Sequence, residues 1–256
     1  MGHPTPPAWY VISLRPQGGH DALRRAARRQ GAGLLALSPW RIARCDDDAT
    51  RESLRAALAC PVVVFTSPAA VAAAHALHPL RSGPGQAWLA VGSGTAAALR
   101  RAGIGRVAFP DRMDSEGLLA LPGLTELRGT PLGFVTAPDG RNLLVPTLEA
   151  RGAEVRRADV YRRESVPLGA RALAAFDRLS APACLLLSSG AALQQVLAQL
   201  PDSLTGRFTA LPAVAASERL ADAARDAGFA RVVLADGPRP GQLVKAACTF
   251  RHGSIR

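Results

Sequence analysis

Small hydroxyl residues stand where apolar runs give way to helical stretches, and these residues are the best placed to do chemistry. The set comprises Thr66, Ser67, Ser93, Thr95, Ser188, Ser189 and Ser217. A hydroxyl before a helix caps free backbone N–H groups. The same helix starts also receive carboxylates, because the N–H groups and the helix dipole both favour negative charge. Both interpretations stay open for each residue, whereas hydroxyls at every strand-to-helix turn indicate a binding site at these turns.

These hydroxyls belong to segments that occur twice, in similar form, along the chain. Residues 10–16 resemble residues 132–138, residues 62–68 resemble 184–190, and residues 89–95 resemble 212–217. Each copy is an apolar run followed by a helical stretch, so strands alternate with helices and we predict an α/β fold. Unalternated apolar runs such as Val62–Phe65 and Cys184–Leu187 are typical of parallel strands covered on both faces. The repetition predicts two similar lobes with a binding cleft between them.

The chain can be divided into two lobes in two ways. A simple cut near Gly129 leaves one set of segments on each side. A swapped cut joins the N-terminal segment to the C-terminal half and makes residues 37–46 and 158–167 two strands that cross between the lobes. The hydrophobic periodicity does not choose between these divisions.

The composition limits the kinds of partner. No apolar run in the 256 residues approaches the roughly 20 needed for a membrane helix. The net charge is +11, carried by dispersed arginines with Lys245 as the single lysine, and aromatic residues make up only 5%. A polyanionic small molecule suits this charge better than nucleic acid does. The N-terminus has no signal pattern, so we expect a cytoplasmic protein with no membrane or nucleic-acid partner.

Metal and nucleotide sites are not expected. The four cysteines, Cys45, Cys60, Cys184 and Cys248, lie far apart without a C-x-x-C pair. Residues 92–95 have the glycines of a phosphate loop but lack the Gly-Lys-Ser/Thr ending that holds phosphate. The sequence therefore predicts no cofactor.

A series of motifs resembles the uroporphyrinogen-III synthase family. The motifs are Arg15-Pro16 and residues 64–71, 90–95, 115–118, 140–144, 151–155, 160–162 and 213–219, and they run in order from about Tyr10 to Lys245. The resemblance implies the swapped division, with a discontinuous lobe of residues 1–40 plus 168–256 and a central lobe of residues 46–160. Residues 37–46 and 158–167 would then be a two-stranded ribbon joining the lobes, and the active site would lie in the cleft.

The resemblance also implies an activity. The protein would be a cofactor-free cyclising hydro-lyase of haem biosynthesis, which converts hydroxymethylbilane, a linear tetrapyrrole, to uroporphyrinogen III. Water is lost and the last pyrrole ring is inverted through a spiro intermediate. A second hypothesis is a non-catalytic two-lobed binding protein for a small polyanionic ligand. The implied partners are the tetrapyrrole and the preceding enzyme of the pathway, and we expect a monomer.

The resemblance assigns roles to a few further residues. The resemblance implies that Tyr161 is the catalytic residue, an aromatic hydroxyl that acts as a donor or orienter, although an ordinary strand tyrosine is the other interpretation. Arg15 and Arg141 lie beside strand-end turns and would pair with substrate carboxylates, although a solvated or helix-dipole-complementing arginine is the other interpretation for either. Ser115, expected like Thr95 and Ser217 to precede a helix as its cap, completes the predicted binding set.

Overall fold

The computed structural model describes residues 7–112, 115–138 and 144–251. The strands are β1 (Trp9–Ser13), β2 (Ala32–Ala36), β3 (Trp40–Arg44), β4 (Val62–Phe65), β5 (Ala87–Ala90), β6 (Thr130–Thr136), β7 (Ala153–Asp159), β8 (Tyr161–Ser165), β9 (Ala183–Leu187), β10 (Ala213–Ala215) and β11 (Val232–Leu234). The α-helices are α1 (Asp21–Arg29), α2 (Asp48–Leu58), α3 (Pro68–Leu77), α4 (Ser93–Arg101), α5 (Ser115–Leu119), α6 (Leu144–Ala150), α7 (Ala170–Asp177), α8 (Gly190–Leu197), α9 (Asp202–Thr209), α10 (Glu218–Asp226) and α11 (Pro240–Ala247). In these three described ranges, no helix combines the length and apolarity that crossing a membrane requires.

The chain divides into two compact units. Unit 1 comprises the described residues up to Arg41 and from Glu164 onward, and unit 2 comprises those of Ile42–Arg163. The two boundaries fall within β3 and β8, which pair with each other in a separate two-stranded sheet. The chain therefore starts unit 1, completes unit 2, and returns to finish unit 1.

Unit 1 is built on a five-stranded sheet in the order β11-β10-β9-β1-β2, and every ladder is parallel. Alternate residues of each strand face opposite sides of a sheet. Ile12 and Leu185 accordingly belong to one core cluster, whereas Val11 and Leu186 belong to another. Because both faces are buried, the strands are apolar throughout, as the sequence predicts.

Unit 2 is built on a four-stranded parallel sheet in the order β5-β4-β6-β7, with a parallel bridge from Leu89 to Ala108 beyond β5. Its faces are also buried: Val63 and Phe65 pack into one cluster and Val64 into another. The predicted strand Val62–Phe65 is confirmed residue for residue.

The repeat predicted from the sequence is present as one strand order used twice. Four neighbouring strands of unit 1, in the order β10-β9-β1-β2, correspond to the four strands of unit 2, in the order β5-β4-β6-β7. The bridge at Ala108 lies beside β5, as β11 lies beside β10. The paired segments found in the sequence occupy matching places in these orders. Unit 1 receives its two leading strands from the start of the chain, so the repeat is permuted between the units.

Four helices are followed by glycines whose backbone conformation favours that residue type. Gly31, Gly103, Gly152 and Gly228 follow α1, α4, α6 and α10, and all have positive φ, between 68° and 101°. A side chain is strained in this left-handed conformation, whereas glycine adopts it at little steric cost. These glycines therefore end the helices at the points where the chain must turn back toward the sheet.

Candidate active site

The hydroxyl residues lie at the carboxyl ends of the parallel strands in each unit. In unit 1, Ser13 ends β1, Ser188 and Ser189 follow β9, and Ser217 follows β10. In unit 2, Thr66 and Ser67 follow β4, Ser93 opens the helix after β5, Thr136 ends β6, and Tyr161 stands just after β7. Open parallel sheets bind ligands outside this edge, at the point where the strand order reverses direction. That point falls between β1 and β9 in unit 1 and between β4 and β6 in unit 2.

Two threonines meet at the reversal point of unit 2. Thr66 Oγ1 donates to Thr136 Oγ1 over 2.8 Å, which joins the residue after β4 to the last residue of β6. Thr136 is 3% exposed, so its hydroxyl needs this partner. The hydrogen bond holds the Thr66 side chain in one orientation at the carboxyl end of β4.

Tyr161 and Ser67, both predicted as site residues, lie together in unit 2. Ser67 caps α3, and its Oγ accepts from the backbone N–H of Ala70 over 3.0 Å. The same Oγ lies 3.0 Å from Tyr161 Oη, and either hydroxyl can be the donor of that bond. Tyr161 is 3% exposed whereas Ser67 is half-buried, so the serine connects a buried phenol to the accessible edge.

Three hydroxyl residues predicted to cap helices make no side-chain capping hydrogen bond or lie inside the helix instead. Thr95 is not a cap, and that prediction is wrong: Gly92 takes the extended capping conformation and α4 begins at Ser93, which places Thr95 inside the first turn, 4% exposed. Ser115 is not a cap either, because α5 begins at Ser115 itself, which is buried. Ser217 does occupy the cap position of α10, but its side chain makes no capping hydrogen bond.

The serines after β9 in unit 1 are more exposed. Ser189 caps α8 and accepts from the N–H of Ala192 over 3.3 Å. Ser188 and Ser217 are exposed. These side chains and the helix N–H groups behind them are therefore open to a ligand at the carboxyl edge of the sheet.

Arg15 is a half-buried cation two residues beyond β1. Burial alone lowers the pKa of its guanidinium, and no carboxylate of the described residues forms an ion pair with it. A partly desolvated charge without a partner is costly, so Arg15 is suited to receive a carboxylate from a ligand. Arg141, the other predicted arginine, lies outside the described residues.

His20 lies at the same edge of unit 1 and is not among the residues predicted from the sequence. Its ring is 6% exposed, with Nδ1 3.0 Å from Ser13 Oγ and Nε2 2.8 Å from Ser38 Oγ. Burial, followed by the charges of Arg24 and Arg15, lowers the pKa of His20, while Asp21 acts in the opposite direction. The available signal was Ser13, a hydroxyl at the end of a buried apolar strand, which requires a hydrogen-bonding partner.

Comparison with known protein families identifies the family to which the chain belongs. The family described as Uroporphyrinogen-III synthase HemD matches residues 21–245, which is most of the chain. The chain belongs to the uroporphyrinogen-III synthase family. The resemblance seen in the motifs is thereby confirmed.

Curated relatives carry the same family name. The uroporphyrinogen-III synthase of Escherichia coli is 30% identical over 161 residues, covering 62% of this chain and 65% of the relative. The uroporphyrinogen-III synthase of Salmonella typhimurium is 32% identical, also over 161 residues, covering 62% of this chain and 65% of the relative. The matched region thus spans a little under two thirds of the length of these relatives.

Solved structures of uroporphyrinogen-III synthases share the fold. A mutant synthase of Thermus thermophilus superposes with a TM-score of 0.59 at 21% identity, covering 94% of this chain and 97% of that one. The Helicobacter pylori protein gives a TM-score of 0.61 at 15% identity, covering 94% and 99%. At these identities the likeness concerns the fold, and it agrees with the predicted α/β class with parallel sheets.

Proposed function

We propose that the protein is a uroporphyrinogen-III synthase that cyclises hydroxymethylbilane with inversion of the last pyrrole ring. The observation that carries this proposal is the family match over residues 21–245. The polar groups at the carboxyl ends of the parallel strands support the proposal. Hydroxymethylbilane has an acetate and a propionate on every pyrrole, so it needs many anion-binding groups.

Both units offer groups for these carboxylates. In unit 1 the Arg15 guanidinium and the starts of α8 and α10 are available, and in unit 2 the starts of α3 and α4 are available. Hydrogen bonds between an ionised and a polar group are stronger than neutral ones. Because one chain supplies all of these groups, the proposal includes a monomeric enzyme. We place it in the cytoplasm, receiving substrate from the preceding enzyme of the pathway.

The chemistry requires little from the protein beyond orientation and one proton. Protonation of the terminal hydroxymethyl group breaks its C–O bond, releases water and leaves an electrophilic azafulvene. The far pyrrole attacks through its substituted carbon, and the spiro intermediate fragments and closes the other way round. Loss of a proton from the pyrrole carbon returns the proton spent on water. Orientation of a folded chain contributes on the order of 7–11 kcal/mol.

Tyr161 is the group proposed to handle that proton. Its phenol is buried and hydrogen-bonded to Ser67, whose hydroxyl lies nearer the edge of the sheet. A donor shielded from bulk water, with one defined partner, can deliver a proton in a fixed direction. The pair therefore serves as a two-hydroxyl path between the core of unit 2 and the departing hydroxyl.

A product assay tests the reaction. Freshly generated hydroxymethylbilane is incubated with the purified protein, and the oxidised products are separated by isomer. We expect isomer III to predominate over isomer I, which forms spontaneously. Isomer I alone, at the uncatalysed rate and from protein shown to be folded, contradicts the proposal and favours the polyanion-binding alternative.

The role of Tyr161 has a matched control in the chain. Tyr161→Phe removes only the hydroxyl, and turnover should fall about a hundredfold or more if the phenol acts as a general acid. Tyr10, the other tyrosine, lies in β1, so Tyr10→Phe should leave turnover unchanged. An unaltered turnover number in Tyr161→Phe removes this residue from the mechanism.

A further inference from the structure

The strongest unassigned feature is the buried imidazole of His20 at the carboxyl edge of unit 1. It joins three separate elements: Ser13 ends β1, Ser38 follows β2, and His20 itself precedes α1. Ser13 is 0% exposed, so neither its hydroxyl nor the imidazole can exchange this contact freely for water. A mutually satisfied polar cluster of this kind fixes the positions of all its members.

The segment between Ser13 and His20 carries Arg15 and is held at a few points. Gly19 N–H donates to Pro16 O over 2.9 Å in a turn, which needs Gly18 at φ 77°. Gln17 N–H donates to Trp40 O over 2.9 Å, and Arg15 N–H reaches Ser13 Oγ only at a long 3.5 Å. His20 is thus the side chain that fastens the far end of this segment back onto the strand from which it starts.

The surroundings of His20 favour its neutral form, which does not repel the neighbouring Arg15 cation. The charged groups that act on the imidazole are Arg24 and Arg15, which disfavour its protonation, and Asp21, which favours it. Burial is the largest influence and also disfavours protonation. A neutral ring donates from one nitrogen and accepts at the other, and the two serine hydroxyls can satisfy both roles.

We propose that His20 is a positioning residue, which through Ser13 and Ser38 holds the Arg15 guanidinium in the place where it receives a carboxylate of the substrate. This inference rests on the proposed function and extends it to a residue that does not touch the substrate. Arg15 is a long, flexible side chain without an anionic partner among the described residues. Its affinity for a ligand therefore depends on how firmly its backbone is held.

Two half-replacements separate the two hydrogen bonds. In His20→Asn the amide lies near the former Nδ1 and retains the bond to Ser13, and in His20→Gln it lies near the former Nε2 and retains the bond to Ser38. His20→Ala removes both. We expect KM for hydroxymethylbilane to rise about tenfold in His20→Ala and less in the half-replacements, with kcat within about twofold of wild type.

The decisive experiment is a double-mutant cycle with Arg15→Ala. If His20 acts through Arg15, then removing the imidazole from a chain that already lacks Arg15 should change KM by less than about twofold. An equal rise in KM in both backgrounds means that His20 only supports the fold, and it overturns the inference. Ser38→Ala supplies a milder disruption if His20→Ala does not fold. His78→Gln, an exposed histidine of unit 2, is the control and should leave KM unchanged.

A binding measurement separates this inference from the proposed function. Uroporphyrin III carries the same carboxylates as the product and needs no turnover, so its Kd can be followed by quenching of tryptophan fluorescence. Binding that His20→Ala weakens only when Arg15 is present sustains the inference even if no isomer III is formed. Wild-type turnover without any coupling between the two residues overturns the inference alone, and the absence of both turnover and binding overturns both.

Discussion

The two units share a strand order but equip the same edge differently. Unit 1 places a cation and a buried imidazole there, Arg15 and His20, beside exposed serines. Unit 2 instead pairs its hydroxyls with each other, Thr66 with Thr136 and Ser67 with Tyr161. The sheet plan thus fixes where polar groups collect, whereas the individual side chains decide whether that edge carries a cation or pairs of hydrogen-bonded hydroxyls.

The cores differ in a similar way. Unit 1 contains a chain of edge-to-face aromatic rings, with Phe208 between Phe176 at 5.9 Å and Phe229 at 5.5 Å. Unit 2 contains one stacked pair, Phe65 and Trp88, at 5.7 Å. Substitutions matched across the two units show how much of the stability depends on each arrangement.

The largest effect is expected from Phe208→Ala in unit 1. Phe208 is fully buried and contacts two other rings, so its loss leaves a cavity and removes two aromatic contacts. The free energy of unfolding should fall by about 3–5 kcal/mol, measured by urea denaturation. Leu234→Ala, at a residue 46% exposed in the same unit, is the control and should change it by less than about 0.5 kcal/mol. Equal effects of the two changes contradict this account of the core.

Gly133→Ala tests a packing requirement found in unit 2. A Cβ at Gly133 would clash with the carbonyl oxygen of Ala57 in α2. The backbone must shift, so we expect a loss of about 1–3 kcal/mol. Gly105→Ala meets no atom within 4 Å and serves as the control in thermal or urea unfolding. A Gly133→Ala protein as stable as that control shows that α2 can move away from the sheet.

A smaller effect distinguishes two helix caps, Ser67 in unit 2 and Ser217 in unit 1. Ser67→Ala loses the bond to Ala70 N–H and the bond to Tyr161, and should lower the free energy of unfolding by about 1–2 kcal/mol. Ser217→Ala loses no side-chain capping bond and should cost only a few tenths. Turnover should follow the same order, and a larger loss at Ser217 would indicate a direct contact with substrate.

The smallest effect concerns the dependence of stability on pH. Burial and the neighbouring arginines hold the pKa of His20 below its ordinary value of 6.5. Between that value and the lowered pKa the unfolded chain binds more protons than the folded one, so stability falls as the pH drops through this window. In His20→Gln this contribution is missing, and its unfolding free energy should change less between pH 7 and pH 5. If the unfolding free energies of wild type and variant change equally with pH, the pKa of His20 is not lowered by folding.

The sequence predicted the architecture well because the relevant signals are local. Runs such as residues 62–65 are apolar throughout, which only a strand buried on both faces requires, and the glycines after the helices turn the chain at known places. The repeat indicated two similar lobes, and the two sheets share one strand order. Thr95 was wrongly predicted to be the cap because Gly92 takes the capping conformation. Glycine adopts many backbone conformations, so its presence in the sequence does not predict which residue caps the helix.

The contacts within the candidate site could not be predicted from the sequence, because they join residues that are distant along the chain. Ser67 and Tyr161 were each selected for their own surroundings, but the bond between them joins residues 94 positions apart. His20 follows two glycines and resembles an ordinary loop histidine, and only the fold brings Ser13 and Ser38 to its two nitrogens. Periodicity reports which face of an element is buried, whereas it does not report which polar groups meet at its end.

The permuted order of the two sheets has a consequence for the growing polypeptide. All four strands of the sheet in unit 2 lie within one continuous stretch, Ile42–Arg163, so that sheet can form while later residues are still being synthesised. In unit 1, β1 must wait for β9, as Tyr10 pairs with Ala183, and the closure of so long a loop is slow. The carboxyl edge of the unit 1 sheet, beside which Arg15 lies, is therefore completed after that of the unit 2 sheet, beside which Tyr161 lies.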